Sequence, residues 1–301
     1  MKVGMIGLGG MGRPVAECIL RAGFPLVVAD LRQEPVAALT AAGASSAASP
    51  ARVAELSDVV IASLPSNAAS EEVALGPDGV LAGASQGDVY IDTSTISPEV
   101  IRRVAERAAD SGIGVLDAPV SGGIRQRRDG DLTVMVGGEA ADFERAEPVL
   151  RAFGSTVVHV GGIGAGATVK LVNNLIMACN AAAAIEGVLL GVKAGLDPRI
   201  IHEVVSVSTG GSRIFDNVVG RMLDTPSAPK PGTVAAQGLH TVSKDVRLAM
   251  DLAQSNGVPV PMGAAAAQIW LAAEARGLSR HEIWSLAEVL EELTGVRVAQ
   301  R

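Results

Sequence analysis

A glycine-rich turn between a strand and a helix, close to the start of the chain, constrains the fold more than any other feature. The apolar run Val3–Ile6 predicts a buried strand, and a Gly-x-Gly-x-x-Gly motif and a helical pattern follow it directly. In such a motif the glycines allow a tight turn, a close approach to a pyrophosphate and close packing of helix on strand. The N-terminus of the helix offers unpaired N–H groups and the positive end of its dipole to the phosphates. The predicted dinucleotide contacts are Gly7, Leu8, Gly9, Gly10, Met11 and Gly12.

The second strand supports this prediction and bears on the choice of dinucleotide. The run Leu26–Ala29 ends in Asp30, an acid at the distance of about 20 residues at which a carboxylate accepts hydrogen bonds from a ribose. A carboxylate there repels a 2′-phosphate and favours NAD, whereas Arg32 could accommodate that phosphate. The alternative is an ordinary strand-to-helix turn with a surface aspartate. We expect NAD, with NADP possible, and cofactor contacts from Asp30, Leu31 and Arg32.

Composition excludes several classes of protein. A chain of 301 residues suits two domains, and a net charge of −7 argues against a nucleic-acid-binding face. Two cysteines cannot form a disulfide framework, and we interpret Cys18 and Cys179 as buried structural thiols. The four histidines have neither paired spacing nor accompanying cysteines, so we expect no metal.

One apolar stretch has the length of a membrane span. The stretch Leu175–Val192 is rich in alanine and is interrupted by Asn180 and Glu186. This composition favours a buried helix of a soluble protein over a span. The N-terminus also lacks the basic start and cleavage site of a signal peptide, so we expect no membrane association and a cytoplasmic location.

The order of apolar runs predicts an α/β fold of two domains. Strand patterns alternate with helical patterns over the first half, which is typical of a doubly wound, mostly parallel sheet. After Gly166 a long helix begins near Thr168, and every later segment is helical or loop. We therefore predict a Rossmann domain over residues 1–163 and an all-helical domain over 164–301, joined by the long helix. The predicted strands are Val3–Ile6, Leu26–Ala29, Val59–Ser63, Val89–Ile91, Val115–Asp117, Leu132–Val136 and Val157–Val160.

The catalytic groups are expected at the carboxyl ends of the strands, where α/β sheets bind their ligands. Small polar loops follow three of the predicted strands, at Leu64–Asn67, Asp92–Thr95 and Asp117–Gly123. Each can present backbone N–H and hydroxyl groups to a cofactor or a small anion.

Lysine usage singles out Lys170. The chain has five lysines against twenty arginines, and Lys170 lies one turn inside the long helix between Val169 and Leu171, with Asn174 at i+4 on the same face. A lysine, unlike an arginine, can exchange its proton when it is desolvated, so it can act as an acid and a base. The alternative is a surface lysine whose stem lies along apolar neighbours.

The chain resembles the β-hydroxyacid dehydrogenase family, which includes 3-hydroxyisobutyrate dehydrogenase and tartronate semialdehyde reductase. Four motifs carry the resemblance and follow one another along the chain in the order found in that family. The resemblance covers nearly the whole chain. The motifs are Gly-Leu-Gly-x-Met-Gly at 7–12, Asp-Ala-Pro-Val-Ser-Gly-Gly at 117–123, Gly-Ala-Gly at 164–166 continuing through Lys170 to Asn174, and the pair Lys244-Asp245.

The resemblance implies a role for each matching residue. Lys170 would be the catalytic acid/base, Asn174 would orient the substrate, and Ser121, Gly122 and Gly123 would hold the substrate carboxylate. It also implies that proteins of this kind pair into dimers or tetramers through the helical half. Further cofactor contacts would come from Leu64, Pro65, Asn67, Thr95 and Lys244.

These expectations define a reaction. A hydride passes between a nicotinamide and the carbinol carbon of a small 3-hydroxyacid, or its semialdehyde, while Lys170 exchanges the hydroxyl proton. Two alternatives stay open. One is an NADPH-dependent semialdehyde reductase of the same family, and the other is a dinucleotide-binding protein without catalysis.

The chain departs from its relatives at two places, which bear on the substrate. Relatives commonly have small or neutral residues after the Ser-Gly-Gly motif, where this chain has Arg125, Arg127 and Arg128, and many have a phenylalanine at the position of Gln237. An arginine that turns inward would select a substrate with a second anionic group, and we include Arg125 and Gln237 among the predicted substrate contacts. The alternative is that all three arginines form a solvated loop face.

Overall fold

The computed structural model describes residues 1–224 and 238–298. The chain divides into two compact units, Met1–Lys170 and Leu171–Arg301. The division falls inside the long helix, whereas the predicted boundary at 163/164 lies just before it. Gln237, a predicted substrate contact, lies outside the described residues.

The first unit is built of alternating strands and helices. Its strands are β1 (Val3–Ile6), β2 (Leu26–Ala29), β3 (Ser45–Ser46), β4 (Val59–Ala62), β5 (Val89–Asp92), β6 (Gly114–Asp117), β7 (Val120–Ser121), β8 (Leu132–Gly137) and β9 (Gly154–Gly161). Its helices are α1 (Gly12–Arg21), α2 (Gln33–Ala41), α3 (Pro50–Glu55), α4 (Asn67–Leu75), α5 (Val80–Gly83), α6 (Pro98–Ala109), α7 (Ile124–Asp129), α8 (Ala140–Leu150) and the start of α9 (Ala165–Lys193).

The strands form one sheet in the order β3-β2-β1-β4-β5-β6-β8-β7, with β9 paired to β8. Strands β1 to β6 are parallel, and β8 runs antiparallel to β6 and β7. Side chains alternate between two cores: Val3 and Met5 of β1 pack into one, and Ile6 packs into the other. The predicted doubly wound, mostly parallel sheet is confirmed. It places the ends of β1, β4, β5 and β6 side by side.

The structure also contains elements that the sequence analysis did not predict. Strands β3 and β7 have two residues each and form by pairing with β2 and β8, not through an apolar pattern of their own. The segment after Ser-Gly-Gly is the helix α7, and not the loop that the alternative interpretation of its arginines assumed. Gly130 ends this helix in the left-handed conformation, with φ 76°.

The second unit is helical throughout its described part. Its elements are the rest of α9, then α10 (Pro198–Ser206), α11 (Arg213–Asp224), α12 (Leu239–Ser255), α13 (Pro261–Ala275), α14 (Leu286–Thr294) and two 3₁₀ turns at Leu278–Arg280 and Ile283–Ser285. Small residues of α9, among them Ala178 and Ala181, pack in the core with Trp270, which donates a hydrogen bond to the Ala178 carbonyl at 3.4 Å. This close packing suits a chain with only seven aromatic residues.

Helix α9 has 29 residues. Among the described residues, it is the one helix that is long and apolar enough to cross a membrane. A core helix of a soluble protein passes the same test, and residues such as Ile185, Val188 and Leu189 are buried in the helical unit.

Candidate active site

The glycine-rich turn has the shape of a pyrophosphate cradle. Gly7 has φ +84°, and a Cβ atom there would lie 2.4 Å from the Ser63 carbonyl oxygen. A Cβ on Gly12 would lie 1.9 Å from the Gly7 carbonyl oxygen, so α1 can approach β1 only at a glycine. A Cβ on Gly9 would meet nothing within 4 Å, which leaves open space beside the loop. Among the described residues, no side chain caps α1. The residues present therefore fit a dinucleotide.

Asp30 is tied to the same loop. Its Oδ2 accepts a hydrogen bond from the Leu8 N–H at 2.6 Å, and its Oδ1 accepts from the Arg32 backbone N–H at 2.8 Å. The Arg32 side chain forms an ion pair with Asp30 at 3.1 Å and donates to the Leu8 carbonyl at 3.0 Å. Burial would raise the pKa of Asp30, but the hydrogen bonds from Arg32 and Leu8 outweigh it and hold that pKa below its ordinary value. Leu31 is fully exposed.

The loops after β4 and β5 hold each other in place. The Leu64 N–H donates to Ser94 Oγ at 2.8 Å, and the Ser94 N–H donates to Asp92 Oδ1 at 2.8 Å. Asn67 Oδ1 accepts from the Ser97 N–H at 3.0 Å, two residues after Thr95. The predicted cofactor contacts Leu64, Pro65, Asn67 and Thr95 thus lie on two connected loops.

Asp92, which the sequence analysis placed only within a polar loop, is the centre of a buried network. Its carboxylate also accepts hydrogen bonds from the hydroxyls of Ser70 and Tyr90. Burial raises the pKa of Asp92, and the hydrogen bonds from Ser70, Ser94 and Tyr90 oppose that rise. The apolar run before it and its place at the carboxyl end of a parallel strand could have identified it as a residue that holds the cofactor loops.

Asp117 connects β6 to the start of α9. Its Oδ1 accepts from the Gly164 N–H at 2.7 Å and its Oδ2 accepts from the Ala167 N–H at 2.6 Å, two N–H groups at the helix N-terminus. A Cβ on Gly166 would lie 2.2 Å from the Met135 carbonyl oxygen, so the helix starts in close contact with the sheet. Lys170 follows on the next turn and is 8% exposed.

The predicted substrate loop lies between β7 and α7. Ser121 is the last residue of β7 and pairs with Thr133 of β8. The Gly123 N–H donates to Gln126 Oε1 at 3.1 Å, so this amide already has an acceptor within α7. Gly122 and Ser121 are partly exposed beside it.

The three arginines of α7 are arranged in neither of the two ways expected from the sequence. Arg125 and Arg128 are exposed and form ion pairs with Asp129, at 3.6 and 2.8 Å. Arg127 is buried, and its Nη1 donates to the Gly10 carbonyl oxygen at 2.9 Å. The arginine that turns inward therefore contacts the glycine-rich loop. The predicted substrate contact of Arg125 stays a prediction.

In the second unit, a buried carboxylate joins two predicted site residues. Asn174 Nδ2 donates to Asp245 Oδ2 at 2.6 Å, and Lys244 Nζ lies 2.9 Å from Asp245 Oδ1. Asn174 Oδ1 accepts from Asn173 at 2.9 Å. Asn174 and Asp245 are both buried. The sequence analysis noted Asp245 only as part of a motif, and the structure shows that it accepts a hydrogen bond from Asn174 and forms an ion pair with Lys244.

Comparisons with known proteins agree with this arrangement. Residues 2–161 match the family model described as the NAD binding domain of 6-phosphogluconate dehydrogenase. Residues 164–290 match the model described as NAD-binding of NADP-dependent 3-hydroxyisobutyrate dehydrogenase.

Full-length relatives are also similar. The 2-(hydroxymethyl)glutarate dehydrogenase of Eubacterium barkeri is 40% identical, over 99% of this chain and 98% of the relative. The 3-hydroxyisobutyrate dehydrogenase of Pseudomonas aeruginosa is 39% identical, over 89% of this chain and 90% of the relative. A solved structure of Mycobacterium tuberculosis 3-hydroxyisobutyrate dehydrogenase with L-serine superposes with a TM-score of 0.85 at 29% identity, over 96% of this chain and 98% of that chain. The chain belongs to the β-hydroxyacid dehydrogenase family and is a nicotinamide-dependent hydroxyacid dehydrogenase.

Proposed function

We propose that this enzyme interconverts a small 3-hydroxyacid and its semialdehyde, with Lys170 as the general acid/base. The observation that carries the proposal is the burial of Lys170 on the second turn of α9, a helix whose start is held by Asp117. Lysines are almost never fully buried, and a lysine in such a place, unlike an arginine, can exchange its proton. The family resemblance assigns the same residue.

The residues have separate tasks in this proposal. When bound, the nicotinamide supplies the hydride acceptor or donor. Lys170 takes the hydroxyl proton during oxidation and returns it during reduction. Asn174, oriented by Asp245, hydrogen-bonds the substrate, and Ser121 with Gly122 and Gly123 receives its carboxylate. The glycine-rich turn and the loops at Leu64–Asn67 and Thr95 hold the cofactor.

Replacement of Lys170 tests the acid/base role. General acid–base groups contribute about 10²–10⁴-fold to rate, so Lys170→Ala should lower kcat by at least that lower factor while NADH binding, measured by fluorescence, stays near wild type. Lys193→Ala is the matched control, because Lys193 lies on the same helix and its Nζ donates a hydrogen bond to the Thr294 carbonyl oxygen. A Lys170→Ala enzyme with more than about a tenth of the wild-type rate would exclude the role.

For the substrate, we propose a hydroxyacid with a second anionic group. Two observations support this. The relative at 40% identity is named for 2-(hydroxymethyl)glutarate, which is a dicarboxylate, and exposed Arg125 follows the proposed carboxylate loop. The test compares kcat/KM for 2-(hydroxymethyl)glutarate, 3-hydroxyisobutyrate, 3-hydroxypropionate and L-serine. A higher kcat/KM for any monoanionic compound than for the dicarboxylate would overturn this choice.

For the cofactor, we propose NAD. An aspartate is ionised at neutral pH, and the hydrogen bonds from Arg32 and Leu8 lower the pKa of Asp30 further, so the carboxylate carries a charge that repels a 2′-phosphate. The second candidate is an NADPH-dependent semialdehyde reductase, which the position of Arg32 beside Asp30 favours. Kd values for NADH and NADPH separate the two.

We also propose a homodimer or homotetramer. Ile200 and Val204 of α10 are 53% and 55% exposed, Val207, which follows this helix, is 88% exposed, and Leu190 of α9 is 72% exposed. Such a surface is typical of an interface. Sedimentation velocity would give the oligomeric state, and a monomer at micromolar concentration would contradict the proposal. The cytoplasmic location stays a prediction.

A further inference from the structure

Arg127 joins two parts of the first unit that are far apart in sequence. It is 5% exposed, and its guanidinium donates to the carbonyl oxygen of Gly10, in the middle of the glycine-rich turn, at 2.9 Å. The contact fixes the direction of the Gly10 peptide group. The N–H groups of the same turn are the ones that would meet the pyrophosphate.

The rest of α7 is fixed to α1. Arg21 Nη2 donates to the Arg128 carbonyl oxygen at 2.8 Å, and Cys18 Sγ lies 3.7 Å from the Arg127 carbonyl oxygen. Helix α1 is the helix whose N-terminus follows the glycine-rich turn. These contacts connect the turn to α7, and α7 begins directly after Gly123.

The positive charge of Arg127 also bears on the affinity for the dinucleotide. A bound pyrophosphate would bring negative charge to the turn on which Arg127 rests, and in a low-dielectric surrounding this attraction is stronger than in water. The same attraction would strengthen binding of the dinucleotide.

We propose that Arg127 is a positioning residue for the dinucleotide. It holds the glycine-rich turn by its hydrogen bond to Gly10, adds a buried positive charge beside the pyrophosphate, and couples occupancy of the turn to the segment 121–129. The coupling to a substrate loop rests on the proposed function. The part that concerns the dinucleotide depends only on residues of the first unit.

Three variants test the proposal with NADH, ADP-ribose and adenosine as probes. Arg127→Met removes the charge and the hydrogen bonds, Arg127→Lys keeps the charge, and Arg128→Met removes an exposed arginine from the next position of the same helix. We expect Arg127→Met to raise the Kd of NADH and ADP-ribose by about 10-fold or more, because the variant loses the charge-assisted hydrogen bond that fixes Gly10 and the attraction of a buried positive charge for the phosphates. Adenosine, which has no phosphate, should bind all four proteins alike.

A solely structural role predicts a different pattern. It would lower the thermal midpoint of the apo protein and weaken adenosine along with the other probes. The proposal further requires that the Kd of NADH rise more steeply with salt in wild type than in Arg127→Met, because one attractive charge is absent from the variant. Arg127→Lys should regain part of the affinity, and Arg128→Met should stay within twofold of wild type.

Hydrogen exchange tests the coupling. NADH should slow exchange of the amides in segment 121–129 in wild type and in Arg128→Met, and should not do so in Arg127→Met. If Arg127→Met folds poorly, Arg127→Lys gives the same comparison with a smaller expected change. An NADH Kd within twofold of wild type for both Arg127 variants, or the absence of any NADH effect on segment 121–129 in wild type, overturns the proposal. A wrong assignment of the substrate loop would leave all of the NADH results unchanged.

Discussion

Asn174 Nδ2 lies 2.6 Å from Asp245 Oδ2, and the other oxygen of the same carboxylate lies 2.9 Å from Lys244 Nζ. One buried carboxylate therefore fixes the direction of an amide through a hydrogen bond and forms an ion pair with an ammonium group. The amide of Asn174 accepts through its oxygen and donates through its nitrogen, so its orientation decides what it can offer a hydroxyacid.

Asp245→Asn should lower kcat/KM by about 10- to 100-fold. The amide loses the ion pair with Lys244, and an amide facing an amide can leave a buried donor unpaired, at a cost of about 1–3 kcal/mol. Steady-state rates and the free energy of unfolding measure the two effects. Asp251→Asn is the control, because Asp251 is an exposed acid of the same helix. Equal rates for the two variants would contradict the orienting role of Asp245.

Asp117 should make stability depend on pH. Burial raises the pKa of Asp117 to about 6 in the folded protein, above the ordinary value of 3.8, although hydrogen bonds from Ala167 and Gly164 oppose the rise. The folded state thus binds the proton more tightly than the unfolded state. The stabilisation by this proton is complete below about pH 3.8 and is lost as the pH rises through about 6, a change of about 3 kcal/mol at 1.36 kcal/mol per unit.

Asp117→Asn removes this titration. As the pH rises from 4 to 8, the wild type should lose this stabilisation and the variant should not. The unfolding free energy of the variant minus that of the wild type should therefore increase over this range. Loss of the carboxylate oxygen adds only a constant difference between the two proteins. Urea denaturation across this range measures the difference. Parallel curves for the two proteins would show that Asp117 does not titrate with a raised pKa.

Asp30 and Arg32 should have opposite effects on cofactor preference. Asp30→Ala removes the charge that repels a 2′-phosphate and the acceptor for a ribose hydroxyl, so NADH should bind about tenfold more weakly and NADPH more tightly. Arg32→Ala should weaken NADPH and change NADH less. The ratio of the two Kd values is the measurement. A tenfold preference of the wild type for NADPH would mean that Arg32, and not Asp30, determines the choice of cofactor.

Alanine substitutions at two glycines of the same motif should differ in their effects on stability and on NADH binding. The Cβ atom of Gly9→Ala would meet no atom within 4 Å, so the protein should keep its thermal midpoint. The variant should bind NADH at least tenfold more weakly, because the added methyl group occupies the space beside the turn. Gly12→Ala places a Cβ 1.9 Å from the Gly7 carbonyl oxygen and should lower the thermal midpoint as well. Loss of stability in Gly9→Ala would show that the space beside the turn is needed for folding.

The sequence alone predicted the sheet well where its strands are buried on both faces. Val3–Ile6 and Leu26–Ala29 are continuous apolar runs, and their predicted bounds agree with β1 and β2. The two-residue strands β3 and β7 were missed because pairing with a neighbour, not an apolar pattern, forms them. Helix α7 was missed for a related reason, since its charged sequence resembles a solvated loop until its contacts with α1 are known.

The amino-acid sequence by itself determined the dinucleotide motif, the longer strands of the sheet and the family, because each depends on motifs or runs of residues that are close together along the chain. The tertiary structure decided which polar groups meet. Arg127 with Gly10, Asp117 with Ala167 and Asn174 with Asp245 are separated by 117, 50 and 71 residues. Local propensity contains no information on such pairs. Only the path of the folded chain brings such buried polar and charged groups to acceptors far away in sequence.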